Sequence, residues 1–372
     1  MTSLYLDHAA TSFPKPAPVL AAIQRWYTEL GVSSARGSSR RCAEVAAIVD
    51  RARSGIAGLC GVATPRVAFT SGATESINLF LRAVLRRGDA VVTTAFEHSS
   101  VARPLQQLAR DLELQVRVVP PDADGGLGVD AVRAAVRAAR PRLLVFTHAS
   151  NVTGAVLDAA AFCAVARDLG ALSLLDASQT IGHLPAAVGA DAVAASAHKA
   201  LLGPPGLGFL AVQPSLDLPP QKQGGTGSSA ALAEHPTTWP LAFEAGTPNT
   251  PAIVGLDAAL RYHAEQPPGA ALGRALAALQ ALEDRLRRDP RYRLLAPAGP
   301  RVPVLSFTHQ DLDAAEVGAI LDDHDVQVRT GHHCAPWIHA HLGTALGGTV
   351  RVSPGADVSA DDILRVSAAL AP

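Results

Sequence analysis

The chain has 372 residues, 48% of them hydrophobic, and a formal net charge of −1. That balance gives no electrostatic footprint for nucleic acid or an anionic membrane, and no apolar run reaches the ~18 residues of a membrane span. The N-terminal MTSLYLDHAATSFPKP has no basic stretch followed by an apolar core, so no signal peptide is expected and a soluble, cytoplasmic protein of about two domains is.

In chain order, short apolar runs at 66–70, 90–94, 114–119, 142–147, 172–176, 192–195 and 208–212 predict strands. Amphipathic Ala/Arg-rich stretches between them, such as 129–139 and 159–169, predict helices. This alternation predicts an α/β fold with a mostly parallel seven-stranded sheet covered by helices. Segment 214–236, rich in Pro, Gly and Ser, predicts a long loop of a kind that is usually functional or mobile. After Pro251 the pattern changes to helices at about 251–264 and 269–287, a strand at 302–307 and a helix at 314–323. Strands at 326–329 and 349–352 and a last helix from about 360 follow. The expected organisation is a large unit over 15–250 and a smaller C-terminal α/β unit over 251–372, with residues 1–14 packed against the smaller one.

Lysine is rare: Lys15, Lys199 and Lys222 stand against 29 arginines. Lys199 sits among alanines, leucines and glycines in AASAHKALLGPPG. A lysine amine can lose its proton and act as a nucleophile, which arginine cannot; equally, a surface lysine lays its stem over apolar neighbours. Ligands of parallel sheets lie outside the carboxyl ends of the strands, so the residues just past each predicted strand matter most. Gly72, Ala73 and Thr74 follow the first, in a turn that suits a phosphate at a helix start or serves only as an N-cap. Glu97 and His98 follow the second and Asn151 the fourth. Asp176 ends the fifth with Gln179 beyond it, and Ser196, His198 and Lys199 follow the sixth. A pyridoxal phosphate site needs an amine for a Schiff base, a carboxylate for the pyridinium nitrogen, a donor near the ring hydroxyl and a phosphate cup. Lys199, Asp176, Gln179 and the Gly72–Thr74 turn fit those roles, and His98 suits a ring lying flat on the cofactor.

The segments YLDHAATSFPKP, TSGATESIN, EHSS, SNVTG, DASQTIGHLP, SAHKALLGPPGLGFL, FEAGTPNT and VRTGHHCAP together resemble the class V aminotransferase superfamily of fold-type I pyridoxal phosphate enzymes. They are most similar to group II cysteine desulfurases and selenocysteine lyases. The resemblance implies that Lys199 is the Schiff-base lysine, that Asp176 pairs with the pyridinium nitrogen, and that Gln179 and Asn151 bond near the ring oxygen or substrate. It implies that His98 stacks on the ring, that Thr74, Ser196 and His198 hold the phosphate, and that Thr247 reaches the phosphate of a second subunit in a homodimer. Arg351 matches the arginine that binds the substrate carboxylate. His8 stands where the family usually shows Asn, beside the substrate space, and Arg36-Gly37 keeps a loose likeness to an arginine-containing loop.

Four cysteines are too few and too scattered for a disulfide framework. Cys60 and Cys163 read as small buried hydrophobes, while Cys42 is ambiguous. Cys334 occupies the family's nucleophile position. Arg329, which also borders the substrate space, precedes it with His332 and His333, a setting that favours a thiolate; Pro336 stands where a helix could begin. Two alternatives remain open here, an inert buried cysteine and a metal site built from His332, His333, Cys334, His339 and His341. The spacing matches no recognised zinc pattern, and no metal is expected. The resemblance implies conversion of L-cysteine, or L-selenocysteine, to L-alanine with a persulfide on Cys334 that passes to an acceptor protein or thiol. Rival readings are a C–S β-lyase, a selenocysteine lyase, an aminotransferase-like enzyme of secondary metabolism, and a scaffold that binds the cofactor without turnover.

Overall fold

The computed structural model describes residues 3–34, 39–227 and 233–371. Its strands are β1 (Leu4–Tyr5), β2 (Val67–Thr70), β3 (Ala90–Thr94), β4 (Gln115–Val119), β5 (Leu143–Thr147), β6 (Leu172–Asp176), β7 (Ala192–Ser196) and β8 (Gly208–Val212). The remainder are β9 (Tyr292–Leu295), β10 (Leu305–His309), β11 (Val326–Gln327), β12 (Arg329–Gly331) and β13 (Thr349–Val352). Strands β2 to β8 form one sheet in the order β2-β8-β7-β6-β5-β3-β4. Neighbours run parallel except at β8, which is antiparallel to both β2 and β7. Every residue of β2, β5 and β8 is buried, because helices cover both faces and leave no wet side. At the edge, β4 instead alternates exposed Gln115 and Arg117 with less exposed valines.

The helices of this larger unit are α1 (Ala17–Arg25), α2 (Arg40–Cys60), α3 (Ala73–Val84), α4 (Ser99–Leu112), α5 (Val129–Ala139), α6 (Ala159–Asp168) and α7 (Thr250–Ala264). α3 and α4 pack Ile77, Phe80 and Leu105 on one side of the sheet. α2, α5, α6 and α7 pack Ile56, Val136, Phe162 and Ile253 on the other. A second, antiparallel sheet has the order β12-β13-β10-β9. Against it lie α8 (Ala270–Leu286) and α9 (Ala314–Asp323), around Leu279, Phe307 and Leu321. The N-terminal β1 pairs in parallel with β11, Leu4 opposite Val326. Among the described residues no helix is long and apolar enough to cross a membrane.

The sequence pattern and the structure differ in three places. The single strand expected at 326–329 is two strands, because the chain changes partner at Val328: β11 pairs with β1 and β12 with β13. The short β9, half polar, carries no apolar signature of its own and is held by its pairing with β10. The last helix divides at Leu364 into Ala360–Ile363 and Arg365–Ala369. The described parts of 214–236 contain neither helix nor strand, and Lys222 ties the loop to α3 through a 2.7 Å ion pair with Glu75.

Candidate active site

The ends of the parallel strands converge on a cavity of about 190 Å³. Of the residues singled out in the sequence, Ala73, Thr74, His98, Asn151, Asp176 and Gln179 line it, as do Ser196, His198, Lys199, Arg329 and Arg351. Gly72 lies just behind, its carbonyl accepting from Thr70 Oγ1 at 3.1 Å and from the Ser76 amide at 3.2 Å. Ala73 N–H donates to Ser196 Oγ at 3.0 Å, fastening the start of α3 to the end of β7. The turn needs a bare backbone beside it: a Cβ on Gly208 would stand 2.5 Å from Gly72 Cα and 2.7 Å from the Ala195 carbonyl oxygen. Sequence reasoning gave Gly208 no role, although it closes the GPPGLG run.

Polar atoms at this cavity are left open. His198 Nδ1, Ser178 Oγ, His333 Nδ1 and Arg351 Nε are buried with no hydrogen-bond partner among the described residues. Buried polar groups are nearly always paired, so four such atoms on residues lining one cavity mark a place for a polar ligand. Ser178, two residues past Asp176, was missed in the sequence; its backbone N–H donates to Asp176 Oδ1 at 3.0 Å.

The electrostatics follow from enclosure. Burial pushes the Lys199 amine down to about 8, Arg351 and Arg329 push the same way, and Asp176 opposes them. Lys199 is only partly buried as a residue, yet its amine is desolvated, which brings the neutral, nucleophilic form close to physiological pH. His98 is pushed down to about 4, chiefly by burial and then by Lys199, so its ring is neutral. It caps α4, accepting the Ser100 N–H on Nδ1 at 3.0 Å. Behind Asp176 lies Glu97, fully buried, whose Oε1 accepts from Thr94 Oγ1 at 2.5 Å and the Thr147 N–H at 3.1 Å. Burial pushes this carboxyl up to about 8.

On the opposite wall, β12 and β13 place Arg329 directly across from Arg351. Like charges opposed on neighbouring strands destabilise the pair. Asp7 offsets the Arg351 charge, at 2.5 Å from its Nη2, and the Asn151 carbonyl accepts from Nη1 at 3.1 Å. Gln179 donates to the Ala9 carbonyl at 3.0 Å. Arg351 is 1% exposed, and with Nη1 and Nη2 engaged its Nε remains without a partner among the described residues.

Cys334 does not line this cavity. It is exposed, on an adjoining open groove shared with Thr74, His98 and Ser100. Arg329 Nη2 lies 3.4 Å from its sulfur. His333 and Cys334 both adopt left-handed backbone, φ 48° and 56°, uncommon for residues with side chains. Three successive carbonyls hold that shape: His332 O accepts from His339 Nε2 at 3.1 Å, His333 O from Asn151 Nδ2 at 2.6 Å, and Cys334 O from the Ser99 N–H at 2.7 Å. The expectation that the histidines lend positive charge is corrected for His333, which burial pushes down to about 2 and which bonds Thr349 Oγ1 at 2.8 Å. The nearby cation is Arg329. The helix α10 (Ile338–Leu342) starts beyond Pro336, with Trp337 as its N-cap. Among the described residues no His/Cys/Asp/Glu group is arranged to hold a metal ion. Cys42, Cys60 and Cys163 are buried, and burial raises the thiols of Cys60 and Cys163 to about 12.

His8 lies on a neighbouring cavity of about 420 Å³ that shares Ala9, Gln179 and Lys199 with the first. Thr247 is exposed and lines a third cavity with Ser71 and Glu75. Arg36 and Gly37 lie outside the described residues.

The Aminotransferase class-V family description matches residues 4–366. The chain belongs to the class-V aminotransferase family. It is 34% identical over 382 residues to "Probable cysteine desulfurase 2" of Mycobacterium leprae, covering 98% of this chain and 90% of that protein. It is 35% identical over 345 residues to a cysteine desulfurase of Klebsiella pneumoniae, covering 89% and 84% respectively. The chain also superposes on the apo cysteine desulfurase of Thermococcus onnurineus with a TM-score of 0.90 at 30% identity, over 98% of this chain and 93% of that one. For the cysteine desulfurase CsdA of Escherichia coli the TM-score is 0.88 at 27% identity, over 99% and 94%.

Proposed function

We propose that the chain is a cysteine desulfurase that takes sulfur from L-cysteine as a persulfide on Cys334 and releases L-alanine. One observation carries this reading: an exposed cysteine sulfur, 3.4 Å from Arg329 Nη2, stands on a pinned loop beside the cavity that holds Lys199 and Arg351. The relatives named above support it.

The residues present fit pyridoxal phosphate. The unpartnered His198 Nδ1 and Ser178 Oγ, with Thr74 at the start of the α3 helix, suit its phosphate. Asp176 suits the pyridinium nitrogen, Gln179 and Asn151 the ring oxygen or substrate, and the neutral His98 ring a stacked position. When bound, the cofactor supplies an aldehyde for an amine and a ring that withdraws electrons from the substrate. Lys199 Nζ, poised near neutrality, removes the proton from the substrate Cα and later returns one. Arg351 holds the substrate carboxylate and so orients that C–H bond. Cys334 Sγ attacks the substrate sulfur: an S–S bond forms, the substrate C–S bond breaks, and the electron pair left on carbon is protonated on the way to alanine. The exposed Thr247 suits contact with the phosphate of a second subunit, consistent with a homodimer, and His8 borders the substrate space. The cofactor site falls in the large unit, 15–250, and the two arginines and Cys334 in the smaller, 251–372.

Intact-mass analysis after incubation with L-cysteine tests the reading. A gain of one sulfur on Cys334 with alanine formed supports it. Undiminished sulfide release by Cys334→Ser, as a β-elimination would give, overturns it.

A further inference from the structure

The groove that holds Cys334 runs well beyond the reacting sulfur. It encloses about 800 Å³ and opens between two helices. One wall is the stripe Thr74, Asn78 and Arg82 of α3, at a spacing of four residues. The other is the α4 stripe Arg103, Gln107 and Arg110, spaced four and three. Residues at such spacings share one helix face, so each wall is continuous for about two turns, roughly 11 Å. Cys334, Pro336 and Trp337 sit with these walls.

The charge along this groove is of one sign. Arg82, Arg103 and Arg110 are exposed, and among the described residues no aspartate or glutamate lines the groove. None of the three takes part in an ion pair among the described residues, whereas arginines elsewhere repeatedly do. Arg110 bonds only the neutral amide of Gln107, at 2.8 Å. The nearest acid on α4, Asp111, is engaged by Gln107 Nε2 at 2.8 Å.

Resting on the desulfurase reading above, we infer that this groove docks a protein acceptor that presents a cysteine at one end of an acidic segment. Its thiol meets Cys334 while its carboxylates lie along Arg82, Arg103 and Arg110. A small free thiol reaching Cys334 is too short to touch all three arginines, so their spread favours a polypeptide segment. In the transfer itself the acceptor thiolate attacks the outer sulfur of the Cys334 persulfide. One S–S bond forms, one breaks, and the Cys334 thiolate leaves, with no outside oxidant or reductant.

The test uses three synthetic helical peptides with one terminal cysteine: a Glu-rich one, its Gln counterpart and its Lys counterpart. Binding is read first by fluorescence anisotropy with the peptide thiol blocked, on the purified protein and on the triple variant Arg82→Glu, Arg103→Glu, Arg110→Glu. The Glu-rich peptide binds at least about tenfold more tightly than the Gln peptide at low salt, loses that advantage as salt rises, and is rejected by the triple variant, which prefers the Lys peptide. Sulfur transfer from persulfide-loaded protein follows the same order. Equal binding of the three peptides, or binding unchanged in the triple variant, overturns the inference. Failure of L-cysteine to load Cys334 instead overturns the proposed reaction, and the binding arm still decides the groove.

Discussion

Arg329 Nη2 stands 3.4 Å from Cys334 Sγ. That contact fixes the position of the sulfur on the groove. Arg329→Ala is expected to slow alkylation of Cys334 by iodoacetamide at pH 7 about tenfold, the equivalent of about 1.4 kcal/mol. The three remaining cysteines are buried in the native protein, so labelling followed by peptide mass analysis reports this sulfur. An unchanged rate would show that the contact does not tune the nucleophile.

Arg351 and Asp7 form the second relationship open to test. Arg351 is almost wholly buried and Asp7 is its acidic partner. Asp7→Asn leaves the guanidinium without that charge, and breaking a buried pair costs about 3 kcal/mol or more, measurable by urea unfolding of the apo-protein. Arg351→Lys keeps a charge but loses the fork. It is expected to raise KM for L-cysteine about tenfold or more, the cost of one charge-assisted bond, with a smaller effect on kcat.

Glu97 gives a pH dependence of definite sign. Its carboxyl is raised from the ordinary 4.5 to about 8 in the folded state, chiefly by burial. Between these values the folded protein holds a proton that the unfolded chain has lost, so this group lowers stability as pH rises from about 4.5 to about 8. Glu97→Gln keeps an oxygen for Thr94 and Thr147 but does not titrate. The difference in Tm, variant minus parent, is expected to grow across that window and level off above it. A difference flat with pH would refute the neutral, buried acid.

Gly208 is placed between Gly72 and the Ala195 carbonyl with no room for a methyl group. Gly208→Ala forces backbone apart at the foot of the Gly72–Thr74 turn, an overpacking cost of about 1–3 kcal/mol. A lowered Tm and weaker retention of pyridoxal phosphate on gel filtration are expected together. Lowered Tm with full retention would separate stability from the turn.

Much of this site was legible because a covered parallel sheet writes itself as unbroken apolar runs, and its functional residues follow each run by a few positions. Asp176, Ser196 and Lys199 were found in that way. Contacts set by distant segments left no such trace. The change of partner at Val328 depends on β1, more than three hundred residues earlier in the chain. Ser178 and Gly208 look like ordinary loop and strand residues until the cavity is assembled around them. The histidines near Cys334 suggested charge or metal ligation from their type, but His333 and His339 are buried. They hydrogen-bond within their own part of the chain, with Thr349 and Thr344 among their partners.

The tip that carries Cys334 is anchored through three consecutive carbonyls to α10, to the segment after β5 and to α4. Backbone held at three consecutive residues costs little further order when a second molecule settles against it. On the reading proposed above, that makes the tip a prepared landing place, where the recipient thiol does most of the approaching.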